Sequence, residues 1–130
     1  MAVDARAAAL IIAEFATRLI RRGGTWGRII GLTSGSASGF PGEVSYGAAK
    51  AAQVSYTLSA ATELAPYGVT ANVVHPPVTD TGWVDDGVRT FVAANPNLTH
   101  VAEPDDVAQV IAWLCTNEAH LVSGTVLQLR

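Results

Sequence analysis

The chain has 130 residues and a net charge of −3; 49% of its residues are hydrophobic and 15% are charged. That length suits one domain, which buries roughly two thirds of its unfolded surface. A charged fraction below the ~25% of ordinary soluble domains excludes a disordered chain and predicts apolar surface that meets another chain or another part of a fold. The acidic balance argues against a nucleic-acid partner, which selects clustered Lys and Arg. The single cysteine, Cys115, rules out an intrachain disulfide and speaks against a structural zinc site. The longest apolar run, Ala7 to Ala13, is far short of the roughly 20 residues a membrane span needs. Asp4 and Glu14 break the pattern of a signal peptide, so a cytoplasmic location is expected.

Residues 4–22 read as an amphipathic helix. Leu10, Ile11, Phe15 and Leu19 share one stripe, and Gly23-Gly24 stops it. Residues 28–33 (Arg-Ile-Ile-Gly-Leu-Thr) are short, β-branched and apolar, the mark of a buried strand. The Gly/Ser/Pro stretch from Ser34 to Gly42 is a loop. An alanine-rich helix is predicted over 45–64, closing at Pro66 and Gly68. A second strand follows from Val69 to His75 and ends at Pro76-Pro77. The segment 79–100 is irregular, with a short helix around 88–94. Glu103-Pro104-Asp105-Asp106 opens a further helix with Val107, Val110, Ile111 and Leu114 on one face. Cys115 on that helix is expected to be a buried small hydrophobe. A last strand runs from Thr125 to Leu129. Strands separated by helices of this length imply right-handed crossovers and an α/β fold with about three parallel strands and flanking helices. The apolar strand 28–33 would then be an edge, which is a liability.

Tyr46 and Lys50 are four residues apart on a helix, so both side chains lie on one face. Lys50 is the only lysine; the other seven basic residues are arginines. A free phenol ionises near pH ~10, and a neighbouring ammonium favours the phenolate. The pair therefore suits proton exchange with a carbonyl or an alcohol. The Ser34 hydroxyl, just past a strand end, suits orienting the same oxygen.

The run Gly27-Arg28-Ile29-Ile30-Gly31-Leu32-Thr33-Ser34, the glycine-rich loop with Pro41-Gly42, and Tyr46-Gly47-Ala48-Ala49-Lys50 together resemble the catalytic segment of the short-chain dehydrogenase/reductase family. Gly68 to Pro76 resembles its strand ending in Pro-Gly, and Glu103 to Leu127 its last helix and strand. The resemblance implies a partial Rossmann-like, doubly wound fold across residues 1–130. It also implies an oxidoreductase that interconverts a small-molecule carbonyl and a secondary alcohol with NAD or NADP. It makes Tyr46 the general acid/base, Lys50 the residue that activates the phenol and holds the nicotinamide ribose, and Ser34 the group that positions the substrate oxygen. Pro76, the Val78 main chain and the Thr81 hydroxyl fall in the segment that would hold the nicotinamide carboxamide. In the family, the helices equivalent to 4–22 and 45–64 form a dimer interface, so a homo-oligomer is expected.

Several departures qualify the resemblance. The family's phosphate-binding signature, Thr-Gly-x-x-x-Gly-x-Gly, has no counterpart here, and the series Gly31, Gly35, Gly39 reads as an active-site loop. The chain resembles only the C-terminal half of the family's fold, from near its fourth helix. Asp4 stands where the family has a catalytic-relay Asn on that helix; the alternative reading, preferred here, makes it an N-cap. Pro77 replaces a glycine and removes an N–H. The loop before Tyr46 is one residue short, which leaves Thr33 and Ser36 as further candidates for the hydroxyl role. His75 reads as a strand-end residue; Trp83, Val84, Phe91 and Val92 fall in the segment that in the family covers the substrate, with packing as their role where no cofactor half is present. Two alternatives to the enzyme remain: a silent remnant that only dimerises, and one half of a split enzyme.

Overall fold

A computed structural model describes residues 2–35 and 39–130. The chain enters through a π-helical turn, Ala2–Ala7, that runs directly into α1, Ala8–Arg21. Gly23, at φ 66°, ends α1 in the left-handed conformation, and Gly24 N–H closes back on the Leu19 carbonyl at 2.9 Å. Then follow β1 (Gly27–Leu32), α2 (Val44–Glu63), β2 (Val69–His75), α3 (Asp86–Ala94), α4 (Pro104–Leu114) and β3 (Val126–Gln128).

The sheet is parallel throughout, in the order β1-β2-β3. Gly27 stands opposite Val69 in the first pair and Val73 opposite Val126 in the second. Strand period sends Ile29 to one face and Ile30 to the other. On the first face Leu19 of α1 and Ala60, Ala61 and Leu64 of the α2 end pack on Val69 and Ala71. On the second, Val107 and Leu114 of α4 with Ala119 pack on Val74. Covered on both faces, β2 is buried from Val69 to Val74, as a central parallel strand must be.

One polar residue in that strand sets the place of β3. Asn72 is fully buried. Its Nδ2 donates to the Val122 carbonyl at 2.7 Å, and its Oδ1 accepts from Thr125 N–H at 3.4 Å. The side chain therefore fixes the approach of β3 to β2, and burial is compensated by these bonds.

Each predicted element is present. The β3 strand is shorter than the predicted 125–129, although Thr125 and Leu129 still bond to Val73 and His75 of β2. The α3 helix starts at Asp86 because the Asp85 carboxylate accepts from Val88 N–H at 2.9 Å and caps it. Cys115 departs from expectation: it sits at the C-terminal end of α4 and is exposed, not buried. No helix of the described residues is long and apolar enough to cross a membrane.

Candidate active site

The C-terminal ends of the parallel strands face one way, and ligand sites of open α/β sheets form outside such ends. Here the β1 exit (Thr33, Ser34), the β2 exit (His75 to Thr81) and the segment after β3 (Leu129, Arg130) surround a cleft of about 500 Å³. The first turns of α2 close one side. Ser34, Tyr46, Lys50, Pro76, Val78 and Thr81 all line this one cleft. Thr33 lines it too, while Ser36 lies outside the described residues.

Helical spacing stacks Lys50 over Tyr46: the Lys50 Nζ lies 5.5 Å from the Tyr46 ring centroid. Phe40 meets the same ring edge-on, at 5.4 Å between centroids and 84° between planes. The phenol ring is thus held between an aromatic edge and a cation, with 38% of the residue exposed. The Lys50 Nζ also lies 3.4 Å from Gln53 Oε1 and 3.5 Å from Asp4 Oδ1. Asp4 is therefore no N-cap. It lies inside the helical turn that begins the described chain, and its carboxylate ties that turn to the lysine of α2.

The β2 exit is braced locally. Pro77 has no N–H, and its carbonyl accepts from the Thr79 hydroxyl at 2.8 Å. The Val78 carbonyl accepts from Ala102 N–H at 2.8 Å, which leaves the Val78 N–H as its main-chain group for a ligand. Asp80 bridges Arg89 at 2.6 Å and accepts from Gly82 N–H at 3.0 Å, placing Thr81 at the rim. His75 closes β2 as expected, and its Nδ1 bonds Gln128 Oε1 across the β2–β3 register.

Other cleft residues were not singled out from sequence: Phe40, Asn97, Leu98, Thr99 and Gln128. Gln128 sits opposite His75 in the β2–β3 register, a pairing no local motif encodes. Trp83, in the segment that the resemblance sets over the substrate, lines the cleft rather than packing in the core, with its indole N–H on the Thr79 carbonyl at 3.0 Å. Phe91 is exposed as well, and of that group Val92 alone is buried.

A family profile described as enoyl-(acyl carrier protein) reductase matches residues 1–129. The chain belongs to the short-chain dehydrogenase/reductase family. This is a family of NAD(P)-dependent oxidoreductases. An uncharacterized oxidoreductase of Bacillus subtilis, YjdA, is 39% identical over 127 residues, which cover 97% of this chain and 51% of that protein. Among solved structures, the reductase LugOII, described as catalysing keto-reduction at C1 during lugdunomycin biosynthesis, is 32% identical. Its TM-score is 0.82, and the match covers 98% of this chain and 50% of LugOII. A blue fluorescent protein from a metagenomic library, solved in complex with NADPH, is also 32% identical, with a TM-score of 0.71 over 82% of this chain and 44% of that one. The chain spans about half the length of the curated relatives it matches.

The residues present suit one end of a dinucleotide. Lys50 and Tyr46 on α2, and Val78 and Thr81 at the β2 exit, offer an ammonium, two hydroxyls and a main-chain amide to the one cleft. A pyrophosphate grip needs glycines leading from a strand into a helix N-terminus of positive potential. The glycine-rich loop that does lead from β1 to α2 ends on Glu43 at the N-cap, an acidic residue at the helix start where a phosphate grip needs positive potential. Nor is the glycine series all loop. Gly31 lies within β1, where an added Cβ would meet Thr57 Oγ1 at 2.9 Å, so it serves strand–helix packing.

Proposed function

We propose that this chain carries the proton-transfer and nicotinamide-binding half of an NAD(P)-dependent oxidoreductase that interconverts a carbonyl and a secondary alcohol. The observation that supports it most is the convergence of Tyr46, Lys50 and Ser34 on one cleft. The Ser34 hydroxyl donates to the substrate oxygen and sets its place beside the Tyr46 phenol. In the reducing direction the phenol O–H delivers its proton to that oxygen, and in the oxidising direction the phenolate takes it back. Lys50 stabilises the negative charge left on the phenol oxygen. Its ammonium, the Val78 N–H and the Thr81 hydroxyl would hold the ribose and carboxamide of the cofactor, with Pro76 shaping the turn beside them. A bound NAD(P) supplies or accepts the hydride equivalent. We place the reaction in the cytoplasm.

The test is titration with NADH and NADPH, read by nicotinamide fluorescence. With no pyrophosphate cradle among the described residues, the 130-residue chain alone is expected to bind more weakly than about 100 μM, roughly −5.5 kcal/mol. Binding at that weak level should be lost in Lys50→Ala. Binding that Lys50→Ala leaves unchanged would remove the cofactor role from this cleft.

We also propose that the chain self-associates through α1 and α2. A groove of about 220 Å³ runs between them, lined by Ala9, Ala13, Ala16 and Tyr56, where small residues permit close helix approach. Sedimentation at micromolar concentration is expected to give a dimer; monomer alone counts against it.

A further inference from the structure

We propose that the His75–Gln128 pair selects the substrate: it reads a hydroxyl carried a few carbons from the reacting carbonyl, so that hydroxyketones are taken in preference to plain ketones. This substrate class rests on the carbonyl–alcohol reading proposed above.

The backbone brings the parts together. The three parallel strands leave the sheet at one end. Thr33 N–H donates to the Val74 carbonyl at 3.0 Å and Leu129 N–H to the His75 carbonyl at 2.9 Å, so the exits of β1 and β3 stay bonded to β2. Thr33, His75 and Gln128, one from each strand end, line a hollow of about 350 Å³ beside the cleft. Ser34 and Phe40 belong to both the hollow and the cleft, so the two spaces are continuous at the reacting centre. The rest of the hollow is small or apolar, with Ala51 and Val54 of α2 and Val126 of β3. In such surroundings a few placed polar groups decide how a small molecule is oriented.

Gln128 settles what His75 can bond. The Gln128 Oε1 only accepts, so the Nδ1 bonded to it carries the ring proton. In the neutral imidazole Nε2 is then an acceptor. Among the described residues no group bonds Nε2, which is left for a ligand. That ligand must donate. The Lys50 ammonium of the same cleft opposes a cationic donor, and a hydroxyl is the neutral donor that fits. The reach agrees. Ser34, which positions the reacting oxygen, follows Thr33 on the strand beside His75. Neighbouring strands lie about 4.8 Å apart, close to the span between a carbonyl oxygen and a hydroxyl a couple of carbons away.

The probes are 4-hydroxybutan-2-one and pentan-2-one, alike in shape except that a hydroxyl replaces a methyl. The chain is isotopically labelled in histidine, and its ring signals are followed by NMR as each ketone is titrated. His120, outside both linings, is the reference. The His75 signals are expected to move with the hydroxyketone, whose affinity should exceed that of pentan-2-one at least about tenfold. His75→Leu is expected to bring the two affinities within about threefold of each other. Should that variant fold poorly, Gln128→Leu changes an exposed side chain at the end of β3 and frees the imidazole. It is expected to cut the preference about threefold or more. Equal affinities in the parent, or His75 signals that stay still, would overturn the proposal. So would a preference that both variants leave unchanged. Binding is read without turnover, which keeps the two readings apart. A chain that binds as expected and reduces neither ketone would overturn the carbonyl–alcohol reading and leave the hydroxyl site standing. A chain that reduces both ketones with equal affinity and equal kcat/KM would overturn the hydroxyl site alone.

Discussion

Replacing Tyr46 by Phe is expected to lower NAD(P)H-dependent carbonyl turnover by about a hundred- to ten-thousand-fold, the range for removing a positioned general acid. The protein should barely notice the change in its stability, with a difference within about 0.5 kcal/mol, as for exposed positions generally. The reason lies in which atoms of the tyrosine are used. Phe40 packs edge-on against the ring at 5.4 Å, and Lys50 stands 5.5 Å from its centroid. Both contacts survive on a phenyl ring, so the first turns of α2 keep their geometry. What is lost is the O–H that, on the proposed function, exchanges a proton with the substrate oxygen. The loss should therefore fall on kcat, with KM nearly unchanged. The measurement is steady-state reduction of a ketone, read by nicotinamide absorbance, with thermal denaturation of both proteins beside it. The chain is assayed at millimolar NADH or NADPH, because it is expected to hold the cofactor weakly. A fall in kcat smaller than tenfold, with the fold intact, would take the acid role away from Tyr46.

The sequence carries the Tyr46–Lys50 pair plainly because both lie on one helix, where spacing alone brings them together. The strands are legible for a similar reason: Ile29-Ile30 and Val73-Val74 are β-branched, short, and bounded by glycine or proline. Contacts made between elements are not legible in this way. The tie from Asp4 to Lys50 joins a turn near the start of the chain to α2; local spacing does not announce it, and only the resemblance, which sets Asp4 at the place of a relay Asn, points that way. His75 and Gln128 meet because the β2–β3 register puts them opposite each other, and that register depends on the buried side chain of Asn72. The helical neighbours of Cys115 predict burial, yet it is exposed. One residue past the end of α4, the chain turns, and the apolar stripe no longer dictates which way a side chain faces. The resemblance sets Trp83 beside the substrate, and its indole N–H, satisfied locally by Thr79, lets the large ring line the cleft without packing in the core.

The same frame makes Gly68 the position where a single methyl group should do the most damage. Gly68→Ala is expected to destabilise the fold by about 3 kcal/mol or more, the sum of left-handed backbone cost and a clash the backbone cannot escape. Gly68 closes the 3-10 turn after α2 at φ 69°. A Cβ there would lie 2.0 Å from the Thr25 carbonyl oxygen and 2.8 Å from its carbon. Those are main-chain atoms of the segment that enters β1, so no rotamer can relieve the contact. Moving either strand breaks the start of the ladder, where Gly27 N–H meets the Gly68 carbonyl at 3.3 Å and Gly27 pairs with Val69. Gly23 supplies the control. Its φ is 66°, but a Cβ there meets nothing within 4 Å. Gly23→Ala should therefore cost only the backbone preference, about 1 kcal/mol. Thermal denaturation of the two variants should separate them, with Gly68→Ala melting roughly 10 °C below the parent and Gly23→Ala only a few degrees below. Equal losses in the two would mean that the approach of Thr25 to the α2–β2 turn is not what fixes the β1–β2 register. The site would follow the fold in either case, because β2 carries His75 and Pro76 into the cleft from the same strand that begins after Gly68.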